Sequence, residues 1–573
     1  MRPTQFRVFN MKKILLFFFA FLFIHGLTYG QTRGASIKPI VVSANEWLYP
    51  DITRYPTASD RIDIHAPRGG YASVQLLING TVPGDGIRVT CSEGLGTPEC
   101  YRLLDVFVAL NVGERGGIAR AGTDPTPWVT RLAPFRVYDA MQPFDQGGNV
   151  VEKNVTALYL CFPIARDATP GVRRGTTTLT IGSQTVNIPT QYTIHKATMP
   201  EKSRLFITNW YNQGNISRPY GIKQYSEEWF DMYSKLMKTM QRTRQTHIII
   251  SLGSVGIEQK ADSTYTFDFS TIKRIMQMAV NAGFQTLELG HLGVRNYEQH
   301  EPIWLFYRPE GRKIYATSEE AYTFLAQFLP KWTAFLKENG WYDMCVQHVS
   351  DEPTLATAND YRMLSLIARK FMPGVPLFDA IVHPELRGAS DYWIPYNSIY
   401  QRDQEKWEKL RSLGDEIWVY TCTNPGGKWL NRTLDMELLR PRLMHWGNYR
   451  FNVTGYLHWG FNYWSYPNDA DPMKYLIENS VVYRSDGTPQ GWPAGDSHIC
   501  YPGNKNGPWM SVRAERMRTG AEDCELLHMI ADKDKAKADA ICANVLKSFD
   551  EYTTDAKAFD ANYIKLLEAA DAL

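Results

Sequence analysis

The chain has 573 residues, of which 44% are hydrophobic and 13% aromatic, and its formal net charge is +2. This length exceeds one ordinary domain, so we expect two or three domains with substantial hydrophobic cores. The balanced charge, without any Lys/Arg run, argues against a nucleic-acid partner. The sixteen Trp and thirty-two Tyr residues suit a protein that binds flat apolar ring faces, although most are expected in the core.

Residues 1–30 have the pattern of a secretory signal peptide. Basic residues precede an apolar run at 14–24, and small and polar residues follow as far as Gln31. The run is too short to cross a bilayer, which needs about 20 apolar residues. We therefore predict cleavage near Gly30 and export to the periplasm or the extracellular space, with no transmembrane segment in the rest of the chain.

Residues 31–196 are predicted to form a β-sandwich. Short alternating runs such as 71–78, 157–162 and 176–181 are separated by turn residues, which is the period-two pattern of strands with one buried face. Within this region Cys91 and Cys100 lie close together in the sequence around Gly-rich turns. A local disulfide between them and two free thiols are both open alternatives.

From Leu205 onward, strand-like runs alternate with helical runs, which include 227–241, 271–282, 319–338 and 354–371. The eight strand candidates are 205–208, 246–251, 285–290, 344–349, 376–381, 397–400, 416–421 and 453–459. Their spacing is near the typical size of a (β/α)8 TIM-like barrel, about 250 residues. An open doubly wound sheet is the alternative, but no Gly-rich dinucleotide fingerprint follows an early strand. We predict a barrel at 204–465 and a loop-rich, helical C-terminal extension that caps it at 466–573, in a multidomain α and β protein. The helical runs of the extension are about 511–532, 535–549 and 555–573.

The segment 346–353 carries the strongest chemical signal. Asp351 and Glu352 follow a strand-like run, and Pro353 cannot extend a sheet ladder and biases Glu352 toward an extended backbone. In a barrel this places both acids at the C-terminal mouth of the fourth strand, where catalytic groups lie. Two nearby negative charges raise at least one pKa, which favours a protonated acid. The alternative is a pair of acids that only stabilises a helix N-terminus.

Adjacent acids fit the hydrolysis of glycosides whose sugar carries a 2-acetamido group. The acetamido oxygen then acts as the nucleophile, so one acid protonates the leaving oxygen and the other carboxylate holds the acetamido N–H. A two-carboxylate retaining glycosidase acting on other sugars needs a second acid about 5–5.5 Å from Glu352, and Asp379 is the only candidate for it. A non-catalytic carbohydrate-binding protein on the same scaffold is the alternative outside the enzymes.

Other predicted strand ends supply candidate substrate-binding residues. They are Asn209, Trp210, His291, His348, Asp379, Tyr420, Trp459 and Trp464. The Tyr420 hydroxyl is a candidate donor to the acetamido oxygen, and Trp459 or Trp464 a candidate platform for a sugar face. Core packing is the alternative role for each of them. No CxxC or HExxH spacing indicates a metal site, and no cofactor is expected.

A second group of charged residues, in the C-terminal extension, is predicted to form an ion-pair network on a capping helix rather than a site. Its members are Arg513, Glu515, Arg516, Glu522 and Asp523.

The chain resembles the secreted bacterial proteins in which a β-sandwich precedes a catalytic barrel of glycoside hydrolase family 123. The resemblance rests on Ser-Asp-Glu-Pro at 350–353 and on the C-terminal segments 495–496, 501–503, 511–516 and 520–523. It covers nearly the whole chain after the signal peptide. It implies an exo-acting β-N-acetylgalactosaminidase that acts on a glycan or glycoconjugate with retention through an oxazoline intermediate. By the same resemblance, Glu352 is the general acid/base and Asp351 orients the acetamido group.

Overall fold

The structure, a computed structural model, describes residues 36–120, 124–125, 127–296, 301–481 and 491–573. The predicted signal peptide lies outside these residues. Residues Ile37–Leu573 form one compact unit. None of the helices within the described ranges is both long and apolar enough to span a bilayer.

The N-terminal region is β-rich, and its described residues form nine strands. They are β1 (Lys38–Ser43), β2 (Ile62–Arg68), β3 (Tyr71–Asn79), β4 (Ile87–Cys91), β5 (Glu99–Val108), β6 (Phe135–Pro143), β7 (Val155–Pro163), β8 (Gly171–Ile181) and β9 (Gln184–Thr198). One sheet has the order β1-β3-β7-β5-β6 and the other β2-β9-β8-β4. Paired strands are antiparallel except β2 and β9, which are parallel.

The alternating residues of β3 show how this region is packed. Val74 and Leu76 join an apolar cluster that also contains Leu179 of the second sheet. Leu77 points the other way and joins a cluster that contains Leu434, far along the chain. Successive side chains of a strand face opposite sides of the sheet, so the first sheet is buried on both faces. One face packs on the second sheet, and the other packs on the C-terminal half of the protein.

Cys91 and Cys100 are both free thiols. Cys91 ends β4, and its Sγ lies 3.6 Å from the Thr177 hydroxyl of the same sheet. Cys100 lies in β5 of the other sheet, and its Sγ donates to the Pro98 carbonyl at 3.5 Å. The structure therefore has the two thiols and not the disulfide.

After Phe206 the strands become short. They are β10 (Phe206–Asn209), β11 (His247–Ile250), β12 (Gly256–Gln259), β13 (Tyr265–Asp268), β14 (Thr286–Leu289), β15 (Gly293–Val294), β16 (Trp304–Leu305), β17 (Cys345–Gln347), β18 (Phe378–Asp379), β19 (Tyr392–Trp393), β20 (Glu416–Ile417), β21 (Val419–Tyr420) and β22 (Gly455–His458). β12–β13 and β15–β16 are antiparallel pairs. The others form three parallel ladders, β10-β22-β21, β11-β14-β17 and β18-β19-β20.

Helices alternate with these strands and continue to the C-terminus. They are α1 (Gly214–Ser217), α2 (Glu227–Arg242), α3 (Ser270–Asn281), α4 (Glu319–Glu338), α5 (Ala358–Phe371), α6 (Asn397–Arg402), α7 (Gln404–Arg411), α8 (Leu439–Arg450), α9 (Pro472–Glu478), α10 (Val512–Ala543) and α11 (Ala556–Asp571). The predicted helices that correspond to α2, α3 and α4 are confirmed to within a residue at each end. The side chains of Ser226 and Ser318 accept amide hydrogens at the starts of α2 and α4, which fixes where these helices begin.

In this region one sequence prediction is wrong and one helix was not predicted, each for a physical reason. Residues 397–400, predicted as the sixth strand, begin α6, and the sixth parallel strand is β19. A run of four residues is too short for periodicity to separate helix from strand. Helix α8 was not predicted, because every residue in it except Arg450 is buried, including Arg440 and Arg442. A helix buried on all sides has no amphipathic stripe.

The C-terminal extension combines helices α9 to α11 with two hairpins, β23 (Tyr501–Asn504) with β24 (Gly507–Trp509) and β25 (Leu546–Ser548) with β26 (Glu551–Tyr552). Helix α10 replaces two predicted helices, and its helical geometry is interrupted at Asp534 (φ −147°). The predicted ion-pair network lies on its buried first half, where Arg518 contacts Glu515 at 2.7 Å and Glu522 at 2.8 Å. Arg516 was predicted to belong to this ion-pair network, but it donates hydrogen bonds to the neutral side chains of Asn45 and Tyr159.

Candidate active site

The acid pair, Asp351 and Glu352, lies just beyond the end of β17 and before α5. A 3₁₀ turn at Leu355–Thr357 connects the pair to the helix, and the amide of Thr354 donates to the Thr357 hydroxyl at 3.0 Å. The predicted transition from strand to helix is therefore confirmed, although the strand ends at Gln347 rather than near Val349. Both acidic side chains are partly exposed.

The backbone of Glu352 is left-handed, with φ of 43°. The prediction that Pro353 biases Glu352 toward an extended backbone is therefore wrong. A non-glycine residue in this region of φ/ψ space costs about 1–3 kcal/mol and persists only when its surroundings hold it. Such residues concentrate at functional sites. The contacts of the Glu352 side chain provide the restraint.

Hydroxyl and guanidinium groups surround the Glu352 carboxylate. The Tyr420 hydroxyl donates to its Oε1 at 2.5 Å and the Tyr396 hydroxyl at 3.3 Å, while Arg295 Nη2 lies 3.6 Å from Oε2. The two tyrosine rings stack with centroids 4.1 Å apart. Burial, followed by the charge of Glu352, raises the pKa of Tyr420 well above its usual value, so this hydroxyl stays a donor. The Glu352 side chain is still 29% exposed and therefore accessible to a ligand.

Arg295 also contacts the other member of the acid pair. Its Nε donates to the backbone carbonyl of Asp351 at 3.0 Å. One guanidinium group therefore bridges the backbone of the first acid and the side chain of the second. A planar guanidinium with several fixed donors suits such a bridge.

Three partly exposed rings, Trp459, Tyr463 and Trp492, form an aromatic cluster beside the acid pair. The Trp459 ring centroid lies 4.9 Å from that of Tyr463 and 4.6 Å from that of Trp492. Burial, and next the charge of Asp351, raises the pKa of Tyr463, which places this ring close to the pair. The Trp459 indole N–H donates to Asp496 at 3.1 Å, and burial raises the pKa of Asp496 to about 7. The cluster offers apolar ring faces suited to a sugar.

Below the acid pair lies a buried triad of Glu288, His348 and Asp379, each fully buried. His348 Nδ1 lies 2.9 Å from Asp379 Oδ1, and its Nε2 lies 3.1 Å from Glu288 Oε2. Burial opposes the charge on His348, but the hydrogen bonds to Asp379 and Glu288 outweigh it and raise the His348 pKa to about 9. His348 is therefore an imidazolium at neutral pH, and both of its nitrogens donate.

Two rings lie against the triad. The Trp210 indole donates to Glu288 Oε2 at 3.0 Å, and His291 packs on His348 with centroids 4.4 Å apart. Burial, with the charge of His348, lowers the pKa of His291 far below its usual value, so it is neutral. Among the described residues, His291, His348 and Asp379 are the one group whose atoms lie close enough together to hold a metal ion. Since both nitrogens of His348 already donate to carboxylates, the group fits a hydrogen-bonded ion pair better than a metal centre.

A family model described as "Glycoside hydrolase 123, catalytic domain" matches residues 210–530, which is more than half of the chain and includes the acid pair and the aromatic cluster. The chain belongs to glycoside hydrolase family 123. Among solved structures, a family 123 glycoside hydrolase from Clostridium perfringens, studied for glycolipid glycan hydrolysis, is similar with a TM-score of 0.68 at 13% identity. The similarity covers 94% of this chain and 97% of that one, so the two share a fold.

Other solved glycosidases are much less similar to this family 123 protein. An Ig-like domain containing GH10 xylanase from termite gut has a TM-score of 0.32 at 11% identity, covering 81% of this chain and 99% of that chain. A β-galactosidase from Bacillus circulans has a TM-score of 0.35 at 9% identity, covering 57% of each chain. Neither similarity is strong enough to support a conclusion. No curated protein matches the sequence.

The family 123 chain brings only part of the predicted residue set to the acid pair. Tyr420 contacts Glu352 directly, Trp459 belongs to the aromatic cluster, and His291 is partly exposed. The others are buried with protein partners: Asn209, Trp210, His348, Asp379 and Trp464. Trp464, for example, donates to the Cys500 carbonyl at 2.7 Å. His348 and Asp379 have no exposed surface, which corrects the direct substrate contact predicted for them, whereas substrate contact by Asn209, Trp210 and Trp464 stays a prediction.

Several residues at the site were not among the predictions: Glu288, Arg295, Tyr396, Trp492 and the side chain of Asp496. Tyr396 was hidden by the wrong strand assignment at 397–400. Glu288 did leave a signal, because a carboxylate within the apolar strand β14 must be buried, and buried charges are rare without a partner. Arg295 and Trp492 reach the site from loops, and no periodicity marks loop residues.

Proposed function

We propose that this protein removes terminal β-linked 2-acetamido sugars, with N-acetylgalactosamine as the expected sugar, by a substrate-assisted retaining mechanism. One observation carries the proposal: a partly exposed acid pair follows the parallel strand β17 of a family 123 chain, and the carboxylate of Glu352 is held by tyrosine and arginine side chains. A hydrolase of this family takes a glycan substrate, and the acetamido requirement and the sugar are the proposed parts.

In the first step, the acetamido oxygen of the substrate attacks the anomeric carbon while the bond to the leaving oxygen breaks. Glu352 gives its proton to the leaving oxygen, and Asp351 accepts the acetamido N–H and offsets the positive charge of the oxazolinium ring. In the second step, Glu352 takes a proton from water, which attacks the anomeric carbon and opens the ring. Two inversions give net retention, and Glu352 regains its proton.

The hydroxyls of Tyr420 and Tyr396 suit the second step. Both donate to Glu352 Oε1, so they fix the orientation of the carboxyl group that activates water. Arg295 lies 3.6 Å from the other oxygen of the same group and restrains it from a second side.

The burial of Asp379 argues against a two-carboxylate retaining mechanism. Asp379 is fully buried, and its two oxygens accept hydrogen bonds from His348, Val349, Ser350 and Tyr361. A nucleophile must reach the anomeric carbon, and this side chain has no exposed atom to do so. Because Asp379 is not accessible, a nucleophile supplied by the substrate is favoured.

We also propose that the three parallel ladders close into one (β/α)8 barrel. Three contacts between the ladders support closure. The amide of Thr246 beside β11 donates to Ile207 of β10 at 3.0 Å, a parallel bridge joins Gln347 of β17 to Leu377 beside β18, and the amide of Trp418 donates to Trp393 of β19 at 2.9 Å. If β20 and β21, which are separated only by Trp418, are counted as one strand, the ladders contain eight strands. With the pairing of β22 to both β10 and β21, these contacts give each of the eight two neighbours.

Export is the remaining proposal, and the sequence at 1–30 supports it. Expression in a bacterial host followed by N-terminal sequencing tests it. A mature protein that begins near Gln31 in the periplasm or the medium supports export. A protein that keeps residues 1–30 and stays in the cytoplasm contradicts it.

The acid pair is tested with E352Q and D351N on aryl β-N-acetylgalactosaminides whose leaving groups differ in pKa. E352Q should lose about 10²–10⁴-fold in kcat/KM on poor leaving groups and much less on good ones, because kcat/KM reports the first step and a good leaving group needs no proton there. D351N should lose activity on all leaving groups alike. E416Q is the matched control, since Asp415-Glu416 is the same dipeptide at another strand, and Glu416 is exposed there.

The outcomes separate the alternatives. If the loss of activity depends on the leaving group in D351N and not in E352Q, Asp351 is the general acid/base and Glu352 orients the acetamido group. If E352Q and D351N both keep wild-type activity, the site assignment is wrong. If the wild type binds 2-acetamido sugars without turning over any substrate, the protein is a carbohydrate-binding member of its family and not an enzyme.

A further inference from the structure

We propose that Asp379 is a positioning residue that fixes the backbone from which the acid pair extends, and that His348 holds Asp379 in place. This role rests on the proposed function, because positioning of the pair is measured against turnover. It differs from the nucleophilic and substrate-binding roles that the sequence predicts for Asp379.

Asp379 ties the end of β18 to the segment that leads into the acid pair. Its Oδ2 accepts the backbone amides of Val349 at 2.9 Å and Ser350 at 3.3 Å. The same oxygen accepts the Tyr361 hydroxyl at 2.8 Å, while Oδ1 accepts from His348. One side chain therefore connects two amides that immediately precede Asp351 to a helix and to a buried cation.

This contact replaces a missing part of the sheet ladder. On the side of β14 the backbone pairing continues past β17, since Gly293 donates to the Val349 carbonyl at 2.7 Å. On the side of β18 the pairing is a single bridge at Gln347. Beyond that bridge, the amides of Val349 and Ser350 point to the Asp379 carboxylate instead of to a strand. A buried amide needs an acceptor, so the carboxylate sets the path of the chain there.

The position of this backbone matters because Glu352 has a left-handed conformation that other contacts must maintain. Tyr396, Tyr420 and Arg295 hold its carboxylate from one side. Asp379 holds the backbone amides of Val349 and Ser350, which precede Glu352, from the buried side of the site. A displacement of about 1 Å in a catalytic group lowers turnover about 10²-fold, so loss of either restraint is expected to reduce kcat.

His348 stabilises the buried Asp379 carboxylate. Burial raises the pKa of Asp379, and the hydrogen bond and charge of His348 oppose this most strongly, followed by Tyr361 and the Val349 amide. A buried carboxylate without such partners is costly. Glu288 is hydrogen-bonded to the same imidazolium at its other nitrogen, and its hydrogen bonds with His348 and Trp210 do not involve the backbone at 349–350. Glu288 therefore provides a matched control.

The test compares D379N with E288Q. Both variants replace one buried carboxylate beside His348 with an amide, so that one oxygen must serve several donors. Only in D379N do the backbone amides of Val349 and Ser350 compete for that oxygen. We expect kcat to fall about 30–100-fold in D379N with KM within about threefold of wild type, and to fall less than about threefold in E288Q.

Hydrogen exchange supplies a readout that does not depend on turnover. The amides of Val349 and Ser350 should exchange faster in D379N than in wild type or E288Q, as measured by mass spectrometry of peptides that cover 345–354. Y361F is a milder variant, because it removes one donor from Asp379 Oδ2 and leaves the charge. It should raise exchange at the same amides and lower kcat several-fold.

Equal losses of kcat in D379N and E288Q would overturn the proposal, since the effect would then follow the buried charge and not the backbone contact. Unchanged kcat and exchange in D379N would also overturn it. If D379N does not fold, Y361F decides, and wild-type exchange at 349–350 in that variant rejects the anchoring role. If the wild type turns over no acetamido glycoside, the exchange results still decide the anchoring, so the two failures are distinguishable.

Discussion

The acid pair and the buried triad contain the same kinds of side chain in different surroundings. Asp351 and Glu352 are partly exposed, and hydroxyl and guanidinium groups contact Glu352. Glu288 and Asp379 are fully buried and share one imidazolium. Solvent access lets a ligand reach the first pair, whereas burial commits the second pair to protein donors. Acidity alone therefore does not distinguish the proposed catalytic pair from the buried pair, whereas exposure and hydrogen-bond partners do.

The largest expected effect is a loss of activity, and substitutions in the acid pair and in the buried triad should differ in how that loss depends on the leaving group. E352Q should lower kcat/KM, which reports the first step, about 10²–10⁴-fold in a way that depends on the leaving group. D379N should lower it less, by about 10²-fold at most, and equally for all leaving groups, because it displaces both acids and not one proton. Steady-state kinetics over an aryl series checks both. A leaving-group dependence in D379N would mean that Asp379 takes part in proton transfer.

The second effect concerns stability and belongs to the buried triad alone. The pKa of His348 is raised to about 9 in the folded protein, so its contribution is fully present below its unfolded pKa, about 6.5, and is lost as pH rises through 9. A shift of this size corresponds to roughly 3 kcal/mol. The free energy of unfolding of wild type should therefore exceed that of H348Q by more near pH 6 than above pH 9, by about that amount. A difference that does not change with pH would show that His348 is not held as an imidazolium.

The third effect concerns the donors of the acid pair. Y420F removes the hydroxyl 2.5 Å from Glu352 and leaves the ring stacked on Tyr396. A hydrogen bond to a charged group contributes about 1.5–3 kcal/mol, so kcat should fall roughly 10–100-fold with little change in thermal stability. Single-turnover kinetics shows which step is affected. Slower release of the sugar would support activation of water by the Glu352 carboxylate, whereas slower release of the leaving group alone would contradict it.

The smallest effect is expected at the aromatic cluster. D496N weakens the acceptor of the Trp459 indole, 3.1 Å away, and leaves the ring in place. KM should rise several-fold with little change in kcat, because the ring contributes binding rather than chemistry. W459F, which loses the indole N–H and part of the ring, should raise KM further. A loss confined to kcat in both variants would place the cluster in the chemistry.

Much of the fold was predictable from local signals. Helix α4 has its predicted ends, Glu319 and Glu338, because Ser318 caps it and apolar residues line one face. Helix α8 was not predictable in this way, because burial on all sides removes the pattern. The strand at Tyr392–Trp393 has two residues and leaves no periodic signal.

The site was predictable only in part, for a similar reason. Asp351 and Glu352 stand at a strand end, which the sequence shows. The partners of Glu352 come from distant loops and strands, and its left-handed backbone depends on those contacts. His348 and Asp379 were correctly placed at strand ends, but their depth below the surface depends on packing that a linear pattern does not contain.

The most direct measurement concerns the nucleophile that the substrate brings. Aryl β-N-acetylgalactosaminides can be prepared with one, two or three fluorines on the acetyl group, which make the acetamido oxygen progressively less nucleophilic. If this oxygen attacks the anomeric carbon, kcat/KM should fall with each fluorine, and the product should retain its configuration. A constant kcat/KM across the series, or a trapped glycosyl-enzyme ester, would contradict substrate assistance and indicate a nucleophile from the protein.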